Sequence, residues 1–300
     1  MPLPYDAQSS VVPPRSVPLT VVVLTRDEEV NINHCLASVA WAAQVVVVDS
    51  GSTDATTTIA RAGGATVVET HWRGFGSQRE FALRLAEVDH DWVFFVDADE
   101  WVSNDLAQEV SQDVLSADHA AFWLYFRLVF QGRWISHCGW YPSARIIRLV
   151  DRRKVSYTDQ AFSEHPAVSG NVARLTHDLV DQDRKGLASW LAKHIRYAEL
   201  ESHRRTDQRV DSTRRSPHES MARYVLKDVV ASRVPFRPTA TFAYMYVIRG
   251  GFLDGREGLL FCLLHAWFQR IVLALGKEAA PASGGLPLEK DDHLASGNAT

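Results

Sequence analysis

Apolar positions in this chain cluster into short unbroken runs rather than long alternations. Leu19 to Leu24, Val45 to Val48, Thr66 to Val68 and Trp92 to Val96 each have strand length and are rich in β-branched or aromatic residues. Three of them stop abruptly at polar and acidic residues, namely Thr25-Arg26-Asp27-Glu28-Glu29, Asp49-Ser50-Gly51-Ser52-Thr53-Asp54 and Asp97-Ala98-Asp99-Glu100. The intervening segments predict helices. Glu29 to Ala40 carries Val30, Leu36 and Val39, and Ala55 to Ala62 follows a Ser/Thr/Asp cluster able to cap its first turn and closes at Gly63-Gly64. Continuous apolar strands alternating with helices predict an α/β fold with a mainly parallel sheet covered on both faces, and such sheets bind ligands beyond the carboxyl ends of their strands. Thr25, Asp49, Asp97 and Asp99 then meet at one crevice.

The end of the fourth run carries the most chemistry. Residues i and i+2 of an extended segment point the same way, so Asp97 and Asp99 can share a divalent ion. A lone Asp-x-Asp is usually an acidic surface turn; three strands emptying into acids at one edge weigh against that reading. Carboxylate oxygens suit Mn²⁺ or Mg²⁺, and the pattern looks like a metal-and-phosphate site at a sheet edge. Asp99 is the first candidate to hold the metal.

Taken together, Val-Leu-Thr-Arg-Asp-Glu-Glu, Val-Val-Val-Asp-Ser-Gly-Ser-Thr-Asp and Phe-Val-Asp-Ala-Asp-Glu, in that order, resemble the nucleotide-sugar-dependent glycosyltransferases of family 2, which have the A-type glycosyltransferase fold. The likeness runs from about Leu19 to His177. Trp72-Arg73-Gly74-Phe75-Gly76-Ser77-Gln78-Arg79 is similar to the branch that builds bacterial lipopolysaccharide cores and related envelope glycans. The resemblance implies that Asp97 contacts ribose hydroxyls or supports the ion, that Asp49 accepts from the uracil imide, and that Thr25 and Glu28 frame the base pocket. Arg26-Asp27 stands where many relatives carry Tyr-Asn, so Glu28 is the firmer carry-over. Arg79 reaches the uracil or diphosphate, or is a solvated helix charge.

An attacking hydroxyl needs a base. The polar stretch Tyr157 to His165 supplies Glu164 first and Asp159 second, and His165, like His177, is a metal ligand, a phosphate donor or a structural histidine. Trp134, Trp140 and Tyr141 crowd the connection Gly132 to Pro142; rings of this kind stack on sugar faces in an acceptor site or form a hydrophobic lid. Arg145 and Arg148, three apart, suit diphosphate recognition or surface ion pairs.

The remaining composition locates the enzyme. With 46% hydrophobic residues among 300, the chain buries a full core, and Cys35, Cys138 and Cys262 lack metal-ligand spacing, so they are expected to be reduced and structural. The amino terminus shows no charged and apolar export signal, which places the protein in the cytoplasm. Although the net charge is −4, Glu201 to Ala240 holds nine Lys or Arg against five Asp or Glu, and Gly258 to Leu275 follows as an apolar helix with Arg270 inside it. At no more than eighteen residues this helix is too short and too charged for a good membrane span, and is expected to lie in an interface or a core. Beside a polybasic segment it predicts peripheral attachment to the inner face of the cytoplasmic membrane and a lipid-linked or saccharide acceptor. The expected division is 1–17 as an extension, 18–200 as the catalytic domain, 201–278 as a basic and amphipathic helical region, and 279–300 as a disordered tail. Nucleic acid is not an expected partner. Two alternatives remain: a phosphohydrolase of the haloacid dehalogenase type, whose Asp-x-Asp normally ends the first strand, and a catalytically silent, membrane-associated assembly factor.

Overall fold

The computed structural model describes residues 17–85, 87–116, 118–158, 166–210 and 236–278; for 113–116, 204–210 and 277 only the backbone is considered. Expectations placed on Asp159, Glu164, His165, most of the basic segment and the two termini lie outside the described residues.

Strands β1 (Val17–Thr25), β2 (Ala42–Asp49), β3 (Thr66–Glu69) and β4 (Trp92–Asp97) are the four apolar runs, each extended by a residue or more. They lie parallel in the order β3-β2-β1-β4. Register places Thr25 opposite Asp49 and Leu24 opposite Asp97, so the polar strand ends coincide at one edge. The connections contain α1 (Ile32–Ser38), α2 (Thr56–Ala62) and α3 (Phe75–Leu83). Beyond β4, the short β5 (Glu100–Trp101) and α4 (Asn104–Ser116) lead into the long β6 (Ala121–Phe130), β7 (Arg133–Trp134) and β8 (Arg145–Asp151). β8 inserts antiparallel between β4 and β6, and β12 (Leu179–Asp181) adds parallel to β6. β11 (Val172–Arg174) also pairs with β6, and β9 (Val155–Ser156) with β10 (Ala167–Val168) forms a separate ribbon. The expected mixed, mainly parallel A-type glycosyltransferase sheet with a helical C-terminal segment is the architecture found.

Strand alternation fills two cores. Val21, Val23, Phe94 and Val96 face α1 and α4, packing with Ile32, Leu36, Leu106 and Val110; Val22, Val93 and Phe95 face the opposite side with Ala82 and Leu83 of α3. Neither face of these strands is solvated, which is why they read as continuous apolar runs.

The loops after β1 and β2 are stitched together by their own polar side chains. Backbone N–H groups of Asp27, Glu28 and Glu29 donate to Ser52 Oγ, Thr56 Oγ1 and Asp54 Oδ2 at 2.8, 2.7 and 3.1 Å, while Thr53 and Ala55 N–H donate back to Asp27 and Glu29 carboxylates at 2.7 and 3.1 Å. Much of the acidity at these two strand ends is therefore structural.

The helical segment corrects one expectation. α5 (Gly186–Val210) runs across residue 200, followed after the undescribed stretch by α6 (Arg237–Ala243), a π-helical turn (Tyr244–Ile248), a 3₁₀ turn (Gly251–Asp254) and α7 (Gly255–Glu278). At 24 residues α7 exceeds the eighteen expected, and Gly251–Gly276 is long and apolar enough to cross a membrane by length and composition. The helix begins three residues before Gly258 and ends three after Leu275, with Gly255, Arg256 and Glu257 in its first turn. Phe261 and Cys262 of α7 pack with Phe130, Ile135 and Cys138 in a third core. All three cysteines are free and buried, as expected.

Candidate active site

A cleft of about 380 Å³ opens at the carboxyl edge of the parallel strands. The ends of β1 and β4 and the turns after β1, β2 and β4 give it Thr25, Glu28, Ser50, Asp97 and Asp99, and α3 gives Arg79. Distant chain closes it: Arg148 on β8, Asp181 on β12, and Lys193 and Tyr197 one turn apart on α5.

The carboxylates divide into two differently compensated groups. Asp97 accepts from Arg148 Nη2 at 2.8 Å and from Arg79 Nη2 at 3.2 Å. Arg148 also reaches Glu100 Oε1 at 2.8 Å, and the other Glu100 oxygen accepts from the Asp97 backbone N–H at 2.7 Å. Burial alone would raise the Asp97 carboxyl, yet the two guanidinium groups hold it below the usual range. Glu100, nearly fully buried, is pushed well up by desolvation despite Arg148.

Asp99 is compensated more weakly. Lys193 Nζ lies 3.5 Å from Asp99 Oδ2, and burial together with Asp97 and Asp183 raises the Asp99 carboxyl against that cation. Asp181 is pushed up to about 8, by burial first and the Asp99 charge second. One lysine thus faces Asp99 and Asp181 together. Such a deficit of positive charge fits a hard divalent ion arriving with a diphosphate; among the described residues no group of three or more His, Cys, Asp or Glu forms a ready-made ligand cage.

Glu28 is held from both sides, accepting from Lys185 Nζ at 2.5 Å and Asn31 Nδ2 at 2.7 Å, and burial raises its carboxyl. Thr25 Oγ1 is buried without a hydrogen-bond partner among the described residues, as a group awaiting a ligand atom would be. Asp49 sits beside Thr25 rather than on the cleft wall; its carboxylate accepts from the N–H groups of Gly51 and Ser52 at 3.0 and 2.8 Å and from Ser52 Oγ. Three of the hydrogen bonds its carboxylate accepts thus come from its own turn.

Other expected residues lie elsewhere. Arg145 stacks over the Trp123 ring at 4.8 Å and does not line the cleft, because alternation along β8 sends it away from the cleft that Arg148 enters. Trp134 and Tyr141 pack edge to face at 5.3 Å, also off the cleft wall. Trp140, half-exposed, contacts cleft-lining Phe126 at 6.5 Å and, on its other side, Phe261 and His265 of α7 at 5.8 and 5.3 Å. Trp134 and Tyr141 thus pack on each other away from the cleft, while Trp140 lies beside cleft-lining Phe126. His177 pairs with Glu109 on α4 at 2.8 Å, in a separate depression. Sequence reasoning missed Lys185, Lys193, Tyr197 and Asp181; none has a local motif, and the i, i+4 pair Lys193/Tyr197 is indistinguishable in sequence from an exposed helix face.

Residues 20–162 match the family model "Glycosyl transferase family 2". Over 268 residues the chain is 25% identical to the lipopolysaccharide core biosynthesis glycosyltransferase LpsC of Rhizobium meliloti, covering 83% of this chain and 91% of that one. An uncharacterized glycosyltransferase of Rickettsia typhi is 30% identical over 145 residues, 47% of this chain and 49% of its own. Glucosyl-3-phosphoglycerate synthase from Mycobacterium tuberculosis, solved with Mn²⁺, UDP and glucosyl-3-phosphoglycerate, superposes with a TM-score of 0.32 at 25% identity, over 36% of this chain and 43% of that one. The phosphohydrolase alternative does not survive the family match and the position of Asp97 on the fourth strand of the sheet rather than the first. With its strand-end motifs meeting at one acidic cleft, residues 20–162 carry a glycosyl transferase family 2 domain, and the chain is a glycosyltransferase.

Proposed function

We propose that the enzyme transfers a hexose from a UDP-linked donor to a cell-envelope glycan such as a lipopolysaccharide core, by direct displacement with inversion at the anomeric carbon. The observation that carries this reading is the undercompensated Asp99 beside Asp97 at the end of β4, in a cleft whose Thr25 hydroxyl lacks a partner among the described residues. The similarity to a lipopolysaccharide core glycosyltransferase over 83% of this chain supports the acceptor class.

Asp99 would hold Mn²⁺ or Mg²⁺ with the donor diphosphate, Asp97 supporting it or accepting from the ribose. A bound divalent ion supplies charge stabilisation to the departing nucleoside diphosphate in a site poor in water. The chain's own residues do the rest. Arg79 and Arg148 keep Asp97 ionised and fixed, Lys193 adds a cation to the diphosphate side, and Thr25 and Glu28 frame the base with Asp49 behind them. Glu164, or Asp159, takes the acceptor proton. Trp140 borders the acceptor side through Phe126. The enzyme works at the inner face of the cytoplasmic membrane, bound peripherally.

A panel of UDP-hexoses assayed for UDP release with and without Mn²⁺, and with and without lipopolysaccharide core oligosaccharide, tests the proposal. We expect one donor to give metal-dependent release that the acceptor accelerates. Mn²⁺-assisted UDP binding with no turnover or hydrolysis of any donor would replace it with the silent assembly-factor reading.

A further inference from the structure

Among the described residues, eight of the fourteen exposed large apolar side chains fall between 236 and 263. Phe236 is 71% exposed and Ile248 74%; Tyr244, Val247, Phe252 and Leu253 are each more than half exposed. Leu259 and Leu263 continue the patch along α7, one turn apart. The opposite sides of the same elements are already used, since Phe242, Met245, Tyr246, Leu260 and Leu264 pack on the third core. This corner is therefore apolar on two faces, and only one is covered by the described residues. Clustering of this kind marks an interaction surface rather than ordinary surface leucines.

We infer that this corner, α6 through the first two turns of α7, inserts into the surface of a bilayer rich in anionic headgroups. The inference deepens the membrane part of the reading above by naming the surface and its lipid partner. Charge selects that partner. The exposed charges beside Leu259 and Leu263 on α7 are Arg256 and Arg270, whereas Asp254 is buried and Glu257 lies 3.9 Å from Arg133. Between α5 and α6 the sequence 211–236 holds five Lys or Arg against three Asp or Glu, and Arg237 opens α6. Apolar side chains flanked by arginines match the boundary between acyl chains and anionic headgroups.

The corner is also clamped to the cleft. Asp254 accepts from the backbone N–H groups of Ser136, His137 and Cys138 at 3.3, 3.0 and 3.1 Å, and Arg249 donates to the Gly139 and Tyr141 carbonyls at 2.9 and 3.1 Å. The loop so held bears Trp140, which touches cleft-lining Phe126. Insertion of the corner would thus set the aromatic loop and the cleft mouth against the membrane, where a lipid-linked acceptor presents its sugar.

Co-sedimentation of the full chain with phosphatidylglycerol-containing and with pure phosphatidylcholine vesicles tests this. We expect binding to the anionic vesicles that weakens with salt and drops at least tenfold in Ile248→Asp/Phe252→Asp, while UDP binding measured without vesicles is unchanged. Hydrogen exchange on the unaltered protein guards against a misfolded variant, with protection of 244–263 expected only when anionic vesicles are present. Equal sedimentation of both proteins, no sedimentation of either, or a wild-type dimer that the substitutions convert to a monomer would overturn the inference, the last by assigning the corner to a second copy. Loss of UDP binding with vesicle binding intact would count against the proposed function and leave this surface standing.

Discussion

At the scale of single residues, similar charges do different work according to what surrounds them. Arg148 is buried between Asp97 and Glu100, while Arg145, three positions earlier on the same strand, is exposed over an indole. Removing one partner from a buried ionic cluster leaves uncompensated charge and costs about 3–5 kcal/mol, whereas an exposed cation–π contact is worth about 0.5–1 kcal/mol. Urea unfolding of Arg148→Met and Arg145→Met is expected to show that contrast; equal losses would mean that Arg148 is not the keystone of the acidic cluster. Asp99 has the reverse profile, since the fold draws little from a carboxylate that Lys193 meets only at 3.5 Å. Asp99→Ala is expected to lower kcat by roughly 10²–10³-fold, or about 3–4 kcal/mol of transition-state stabilisation, with the urea midpoint retained. Full activity in that variant would remove Asp99 from the mechanism.

At the scale of elements, the packing of α7 against α5 makes stability depend on pH. His265 on α7 is surrounded by Trp140, Trp190 and Phe261, donates through Nδ1 to the Phe261 carbonyl at 3.0 Å, and faces His194 on α5. Burial first, then His194, lowers its pKa from the usual histidine range to about 4. His194 is lowered as well, by burial and by Lys193. A histidine depressed in the folded state binds its proton more readily when unfolded, so stability is complete above pH 6.5 and falls as pH drops toward 4, by about 2–3 kcal/mol for His265. Unfolding midpoints measured at pH 7.5 and 5 should differ in the wild type and differ less in His265→Phe. Asp254 anchors the same region. Asp254→Ala leaves the Ser136, His137 and Cys138 N–H groups without their acceptor and is expected to speed amide exchange across 136–141 by an order of magnitude or more, with β1 to β4 unaffected.

At the scale of the whole molecule, the cleft is an assembly of segments far apart in sequence. Lys193 and Asp181 meet Asp99 from more than eighty residues away. A ligand that binds only this assembled state stabilises the whole domain by linkage, by about 2.7 kcal/mol at a hundred times its dissociation constant. UDP with Mn²⁺ is therefore expected to raise the melting temperature together, more than either alone, and to do so weakly or not at all in Asp99→Ala. Additive small shifts from the two components, identical in the variant, would show that they do not share this site.

Much of this was legible along the chain. Runs of Val, Leu and Phe buried on both faces announce central parallel strands, and register alone then brings Thr25, Asp49 and Asp97 to one edge, because each strand ends where its apolar run ends. What a carboxylate does there was not legible. Asp27, Glu29 and Asp54 look as chemical as Asp99 in sequence, yet they hold two loops together through backbone donors. Arg145 and Arg148 look alike until strand alternation separates them, and Lys193 has no local signature because its partner lies on another element. Local pattern determines which segments are buried and where they stop; only tertiary structure decides which charges face each other, since the energy of a charge depends on neighbours and burial that sequence distance does not encode.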